Sequence, residues 1–419
     1  MKTSCGWSVL LTFLVAVPGF ARAQDNYDGT SPISDSYGDS VFYPEPDYGF
    51  RFQADALIWS RTSSNSSAPI IGGPETFNLG GLSPSYVGGY RLGGAWLIDP
   101  NYEMEGVWTS FSDWTASGGG VLSRAVAFNG GQASALVDPS GNANFLNTGT
   151  YFRPIFDAAM DPLANPAIQN YAFLKGGSTY ALYSTSTLYD VQANFKTRRT
   201  NDQRISFGVG YRNIRLSEGT TAGVSGVFGT NDLPGGGNAN NTLSDAALTA
   251  HGLTLISGAG DGWTNTVGST TTLSLLWNGT TTNQLNGFQG TMDASLLERG
   301  IFTLEGLARA GVFYNRMSGT IRETYAGGGA DDSVYGRTLT DQRDVVSFAG
   351  NLGLNGVFQV TDHVRIRTGY EVMLLTNAAE SGKQQNGVSY NSVGIASYSV
   401  QGGSTVVLHG ARAGVEVVW

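Results

Sequence analysis

The chain has 419 residues, a formal net charge of -9, 59 glycines and only 14% charged side chains. The acidic balance argues against nucleic acid as a partner, and a glycine-rich chain with 11% aromatic residues suits strands and aromatic belts better than a helical enzyme. A mean hydropathy of -0.11 excludes a bundle of membrane helices, but alternating strands cancel their apolar face in such an average.

The first element is an export signal. Lys2 supplies a positive start, Trp7 to Val17 an apolar stretch, and Ala21-Arg22-Ala23 a small-residue cleavage pattern, so residues 1–23 are expected to be removed. The apolar stretch is too short to span a bilayer, and no second run of about 18 apolar residues follows. Removal takes away Lys2 and Arg22 and no acid, moving the formal charge from -9 to -11. Cys5, the single cysteine, lies inside the signal. The mature chain is therefore expected to lack disulfides, Cys-based zinc sites and Cys nucleophiles. Residues 24–48, rich in Asp, Tyr, Ser, Gly and Pro, read as a flexible periplasmic lead-in. The remainder, 49–419, reads as one barrel domain.

Period-2 strands then follow in order. The first, 49–60, sets Phe50, Phe52 and Ile58 against Arg51, Gln53 and Asp55. The second, 85–98, sets Tyr90, Leu92 and Trp96 against Arg91, and Asp99-Pro100-Asn101 forms a tight turn into the third, 102–111, with Glu103 and Glu105 opposite Met104 and Trp108. The fourth, 182–196, carries Asp190, Gln192 and Asn194 on its polar face, and the fifth, 204–215, carries Arg204, Ser206 and Arg212. The sixth, 282–296, is the least patterned, with Gln289 and Asp293 opposite Phe288 and Met292. The seventh, 301–315, presents Glu305 and Arg309, and the eighth, 345–359, Ser347, Asn351 and Asn355. The ninth, 364–375, presents Arg365, Arg367 and Glu371. The tenth ends the chain: Trp419, Val417, Val415, Ala413 and Ala411 share one face, and Glu416, Gly414, Arg412 and Gly410 the other.

Connections alternate in length. Those at 61–84, 115–181, 216–281, 316–343 and 376–404 are long, and those at 99–101, 197–203, 298–300 and 360–363 are short. Short periplasmic turns and long extracellular loops mark an up-and-down antiparallel transmembrane β-barrel. Ten strands are expected; twelve is the alternative, because Thr270–Trp277 could be another strand and 115–181 could hold one more. Val415, Val417 and Trp419 are expected to form the assembly signal read by the barrel-assembly machinery, with outer-membrane lipid as the surrounding partner.

Several runs carry a resemblance to a known family. They are Gly88-Gly89-Tyr90-Arg91-Leu92-Gly93-Gly94-Ala95-Trp96, Asn286-Gly287-Phe288-Gln289-Gly290, Phe348-Ala349-Gly350-Asn351-Leu352-Gly353-Leu354, 361–370 and 409–414. In this order they resemble the beta-barrel porin-7 family of bacterial outer-membrane proteins. The resemblance covers the strands of 49–419 and not the long loops. It implies an outer-membrane barrel with a porin-like function, and it implies no catalytic residue or ligand.

The inward faces gather both signs: Asp55, Arg91, Glu103, Glu105, Asp190, Arg212, Glu305, Arg309, Arg365, Arg367, Glu371, Arg412 and Glu416, together with Arg51, Arg204 and Asp293. One reading is a pore lining for ions or small polar solutes, in which opposed charges set selectivity. The other is a network that fills a narrow ten-strand lumen, leaving the long loops to bind a partner or the barrel to stabilise the envelope. An enzyme is not expected. His251 lies in a Gly/Asn-rich loop, His363 in a turn, and His409 on the lipid-facing parity of the last strand. No metal or cofactor is expected. Asp331, Asp332, Asp341 and Asp344 lack calcium-loop spacing and read as solvated acids, and the Gly triplets at 118–120, 235–237 and 327–329 read as loop tips. Residues 155–172, with prolines at 162 and 166 and one just before at 154, read as a short helix that either constricts the lumen or covers its mouth.

Overall fold

The computed structural model describes residues 49–419 except 63–68, 73–76, 79–81, 83–84, 125, 128–150, 153–169, 199–203, 233–240, 244, 251, 266–270, 329–331 and 391–395. The expected signal, its cleavage site and the lead-in lie outside the described residues, as do His251, Asp331, and nearly all of the expected helix at 155–172.

Ten strands pair antiparallel in chain order: β1 (Phe50–Arg61), β2 (Val87–Asp99), β3 (Tyr102–Phe111), β4 (Thr179–Thr197), β5 (Ile205–Asp232), β6 (Thr272–Arg299), β7 (Phe302–Gly327), β8 (Val334–Gln359), β9 (Val364–Ala378) and β10 (Ser404–Val418). Each pairs with its neighbours in sequence. The ring closes where β1 runs alongside β10, from Arg51 opposite Val418 to Arg61 opposite Leu408. Closure removes every free edge at membrane depth, where an unpaired backbone group has no water to turn to. The seam is tight: the Gly49 and Phe50 N–H groups donate to the Trp419 carbonyl at 2.8 and 2.9 Å, and the two rings lie 5.0 Å apart.

Outward positions carry exposed large apolar side chains in a band edged by aromatic residues. Toward the short turns stand the ring pairs Phe50–Trp419, Tyr102–Phe195 and Phe302–Phe358, all with centroids 5.0–5.2 Å apart. Toward the long connections stand Tyr90, Trp108, Tyr189, Tyr211, Tyr314, Phe348 and Tyr370. The fold is a transmembrane β-barrel. The short turns use the expected chemistry: Asp99 Oδ1 accepts from the Asn101 and Tyr102 N–H groups, Thr361 Oγ1 accepts from those of His363 and Val364, and Gly300 takes φ +59.

The long connections differ from expectation. Much of 216–281, 316–343 and the end of 115–181 is strand that rises beyond the membrane band, so β5 and β6 reach 28 residues and β7 and β8 reach 26, whereas β1 has 12. Of the possible strand at Thr270–Trp277, residues 272–277 are no separate strand but form the upper end of β6, and Thr270 lies outside the described residues. Trp114–Val121 continues the pairing of β3 along β4 rather than adding to the ring. The ring thus has ten strands, and the twelve-strand alternative is set aside. The glycines of 118–120 also belong to this paired segment and are not a loop tip: a Cβ on Gly119 would sit 2.7 Å from the Tyr180 carbonyl oxygen. The tall half of the barrel encloses an apolar core. Leu182, Val224, Leu275, Trp277, Ile321, Tyr325 and Tyr335 from the strands pack with Ile70, Ile71, Leu122, Phe152 and Trp263 from the connections.

Candidate functional site

The lumen is filled in layers, and each layer follows from which residues share the inward parity of the strands. The lowest layer is ionic. Arg91 donates to both Glu371 oxygens, at 2.7 and 3.2 Å, and Arg212 grips Asp190 in the same two-pronged way at 2.9 and 2.8 Å. Arg212 is fully buried. Its remaining Nη1 donates to Asn351 at 2.8 Å. Arg412 lies 3.6 Å from Asp55, and its Nε donates to Asn355 at 2.7 Å. Nearer the short turns, Arg367 bridges Glu305 (3.0 Å) and Glu416, and Arg365 joins Glu416 at 3.2 Å. Arg51 lies 3.1 Å from Glu103, while Arg309 reaches Glu105 at 3.4 Å and Gln192 at 2.9 Å. All thirteen expected lumen residues therefore face inward and join one ion-paired layer.

Three assignments need changing or extending. Arg204 is exposed at a short turn rather than buried in the lumen, because the paired strand starts only at Ile205. Lys196, absent from the sequence expectation, is a hub: its ammonium meets Glu105 at 2.9 Å and also pairs with Asp293. Its parity follows Asp190, Gln192 and Asn194, so extending the period by one step would have found it. Asp341, expected as a solvated acid, is half-buried and accepts from the Val400 N–H at 2.8 Å, whereas Asp344 is exposed as expected, opposite Arg316 in the register.

Within the ionic layer lies a cavity of about 50 Å³, bordered by Arg51, Arg91, Lys196, Glu105, Glu305, Arg309 and Arg367 among others. The polar face does not continue upward from it. Leu57, Trp59, Phe111, Leu188, Ile214, Leu285, Phe313, Ala349, Met373 and Leu408 form one buried apolar cluster, with Val87 packed against it. Every one of the ten strands contributes to this layer. Trp114 from the β3 extension seals it further, its ring 4.9 Å from Phe111 and its Nε1 donating to the Trp59 carbonyl at 3.0 Å.

Above the apolar layer the connection after β9 folds into the barrel. Its turn begins at Asn377, which takes φ +54, a conformation uncommon outside glycine. Asn283 both donates to the Ala379 carbonyl and accepts from the Ala379 N–H, each at 2.7 Å, and a buried 3-10 helix, Ser381–Gly387, follows. Arg61 pairs with Glu218 and, at 3.3 Å, with Glu380; Lys383 joins Glu380 at 3.2 Å. None of these four residues was singled out in the sequence. Glu218 lies on β5 beyond its last lipid-facing aromatic, Tyr211, and so above the membrane band. Burial, reinforced by the neighbouring Glu380 and opposed by Arg61, pushes its carboxyl up to about 7 from an ordinary 4.5. Between those two values the folded protein holds a proton that the unfolded chain releases. Stability is therefore expected to fall as the pH rises from about 4.5 to 7, by up to about 3 kcal/mol. Urea unfolding across that range checks this, and Glu218→Gln should flatten the profile.

The described histidines stand apart from any carboxylate constellation. His363 Nδ1 lies 3.0 Å from the Val418 carbonyl at a short turn, and His409 lies on the outer face with its Nδ1 2.5 Å from the Tyr370 hydroxyl. Among the described residues no three His, Cys, Asp or Glu side chains gather in a way that could hold a metal.

The closed ring of ten antiparallel strands, its lipid-facing band and its charged lumen define an outer-membrane β-barrel fold. No protein-family model and no curated protein matches the chain. Among solved structures it is similar to the outer membrane protease OmpT from Escherichia coli, with 10% identity, 93% of this chain and 100% of that chain covered, and a TM-score of 0.38. It is also similar to the toluene transporter TodX of Pseudomonas putida (9% identity, 89% and 91% covered, TM-score 0.22) and to the translocator domain of the autotransporter NalP from Neisseria meningitidis (8% identity, 97% and 98% covered, TM-score 0.21). These three proteins are a protease, a transporter and a translocator, and the likeness assigns no activity to this chain.

Proposed function

We propose that this protein is a bacterial outer-membrane barrel with a closed lumen, acting as a structural or surface-interaction protein through its extracellular half. The observation that carries this reading is the apolar layer to which all ten strands contribute, because an ion crossing it would lose its hydration with no polar partner in return. The tall, well-packed extracellular half gives the strands and connections above the membrane a rigid base from which to meet a partner. Export, the outer membrane as location and recognition by the assembly machinery belong to the same reading.

A porin-like reading, as the resemblance to the porin-7 family implies, draws support from the ionic layer and its cavity of about 50 Å³. It requires the apolar layer to part. Single-channel recording of the refolded, heat-modifiable protein in a planar bilayer separates the two. A folded barrel that inserts and stays silent is expected. Discrete, reproducible steps would overturn the closed-lumen reading and favour the porin, with the reversal potential in a salt gradient giving its ion preference.

A further inference from the structure

The outer face of the tall half changes chemistry in a fixed order from the membrane upward. On β5 to β8 the last large side chains of the lipid-facing band before the polar rows are Tyr211, Phe288, Tyr314 and Val346, all 47–76% exposed. Just beyond them comes a register row in which Arg215, Gln284, Arg316 and Asp344 stand side by side on β5, β6, β7 and β8. Both arginines are exposed; Arg316 also donates to Gln342 at 2.9 Å. They stand two strands apart, about 10 Å.

For two register rows beyond the arginines the face is neutral and rich in hydroxyls, before the next row brings exposed Tyr183 and Arg322. One row runs Thr187, Ser217, Thr282, Ser318, Gln342 across five strands. The next runs Thr185, Gly219, Thr280, Thr320, Thr340. These side chains are exposed or half-exposed and recur about 4.8 Å apart across strands and about 6.8 Å along them. Water contact alone requires no such order, and surface strands more commonly carry charges.

We propose that this face binds a phosphorylated glycolipid of the outer leaflet. Its acyl chains would lie along the apolar band, a phosphate would sit on Arg215 and Arg316, and its sugars would extend over the threonine rows. Three features support the assignment: continuity with the lipid-facing surface, cations placed where a headgroup phosphate would lie, and a neutral donor-and-acceptor array suited to hydroxyl-rich sugars. The face is built from paired strands rather than loops, so it is ordered before a lipid arrives.

The test uses the refolded full-length barrel in detergent, with retained lipid counted by native mass spectrometry. The probes are a purified phosphorylated lipopolysaccharide, its dephosphorylated form, and phosphatidylglycerol. The wild type should retain the lipopolysaccharide at least about tenfold better than either other lipid. Arg215→Gln with Arg316→Gln should lose about that factor. Arg204→Gln with Arg299→Gln, which removes the same charge from exposed periplasmic turns, should not. Thr280→Val with Thr320→Val should weaken the preference for lipopolysaccharide over phosphatidylglycerol. Heat-dependent gel mobility verifies that each variant is folded. Equal retention of lipopolysaccharide and phosphatidylglycerol by the wild type would overturn the proposal, as would an Arg215/Arg316 variant that behaves like the periplasmic control. Channel recordings bear on neither result, so the closed-lumen reading stands or falls separately.

Discussion

Replacing Arg212 with methionine is expected to cost the folded barrel about 3–5 kcal/mol. The guanidinium is fully buried, holds both oxygens of Asp190, and also donates to Asn351 and Gln289. Without it, Asp190 keeps one side-chain donor, the Gln192 amide at 2.8 Å, but no paired cation. An uncompensated buried carboxylate, rather than the loss of attraction itself, dominates the penalty. The double variant Arg212→Met with Asp190→Leu should recover much of the loss, because two apolar side chains of similar volume remove both charges. Urea unfolding from lipid vesicles measures both. A single variant within about 1 kcal/mol of wild type would show that the ionic layer is hydrated enough to tolerate a free charge.

Trp419→Asp is expected to separate assembly from stability. The Trp419 backbone supplies the closing hydrogen bonds of the seam, and these survive a side-chain change. The ring is 58% exposed at the edge of the lipid-facing band, where a carboxylate costs at most about 1 kcal/mol and the lost contact with Phe50 about as much again. Refolding into vesicles should therefore lose only about 1–2 kcal/mol. In cells, heat-modifiable barrel in the outer membrane should drop several-fold, if Val415, Val417 and Trp419 act as the signal proposed for them. Wild-type surface levels in this variant would defeat that role. Deleting the residue removes the seam bonds as well, so its refolding yield should fall more than that of the substitution.

At membrane depth each strand has lipid on one side and a polar lumen on the other. That contrast imposes a period of two, and it made the ten-strand ring, the turns at Asp99 and Thr361, and the inward set from Asp55 to Glu416 legible in the amino-acid sequence. The same pattern was harder to follow above the membrane, where its sense inverts. On β7, Met317, Ile321 and Tyr325 point inward while Arg316, Ser318 and Arg322 face water. A reader looking for outward apolar residues sees a loop there and stops at Asn315. What fills the lumen was decided only by tertiary structure. Arg91 meets Glu371 across 280 positions of sequence, and the apolar layer exists because one or two unremarkable side chains from each strand arrive at the same depth. Parity along a strand is a local property that the sequence carries by itself. Which residues share a level across a closed ring depends on strand register and tilt, and those are set only when the barrel closes.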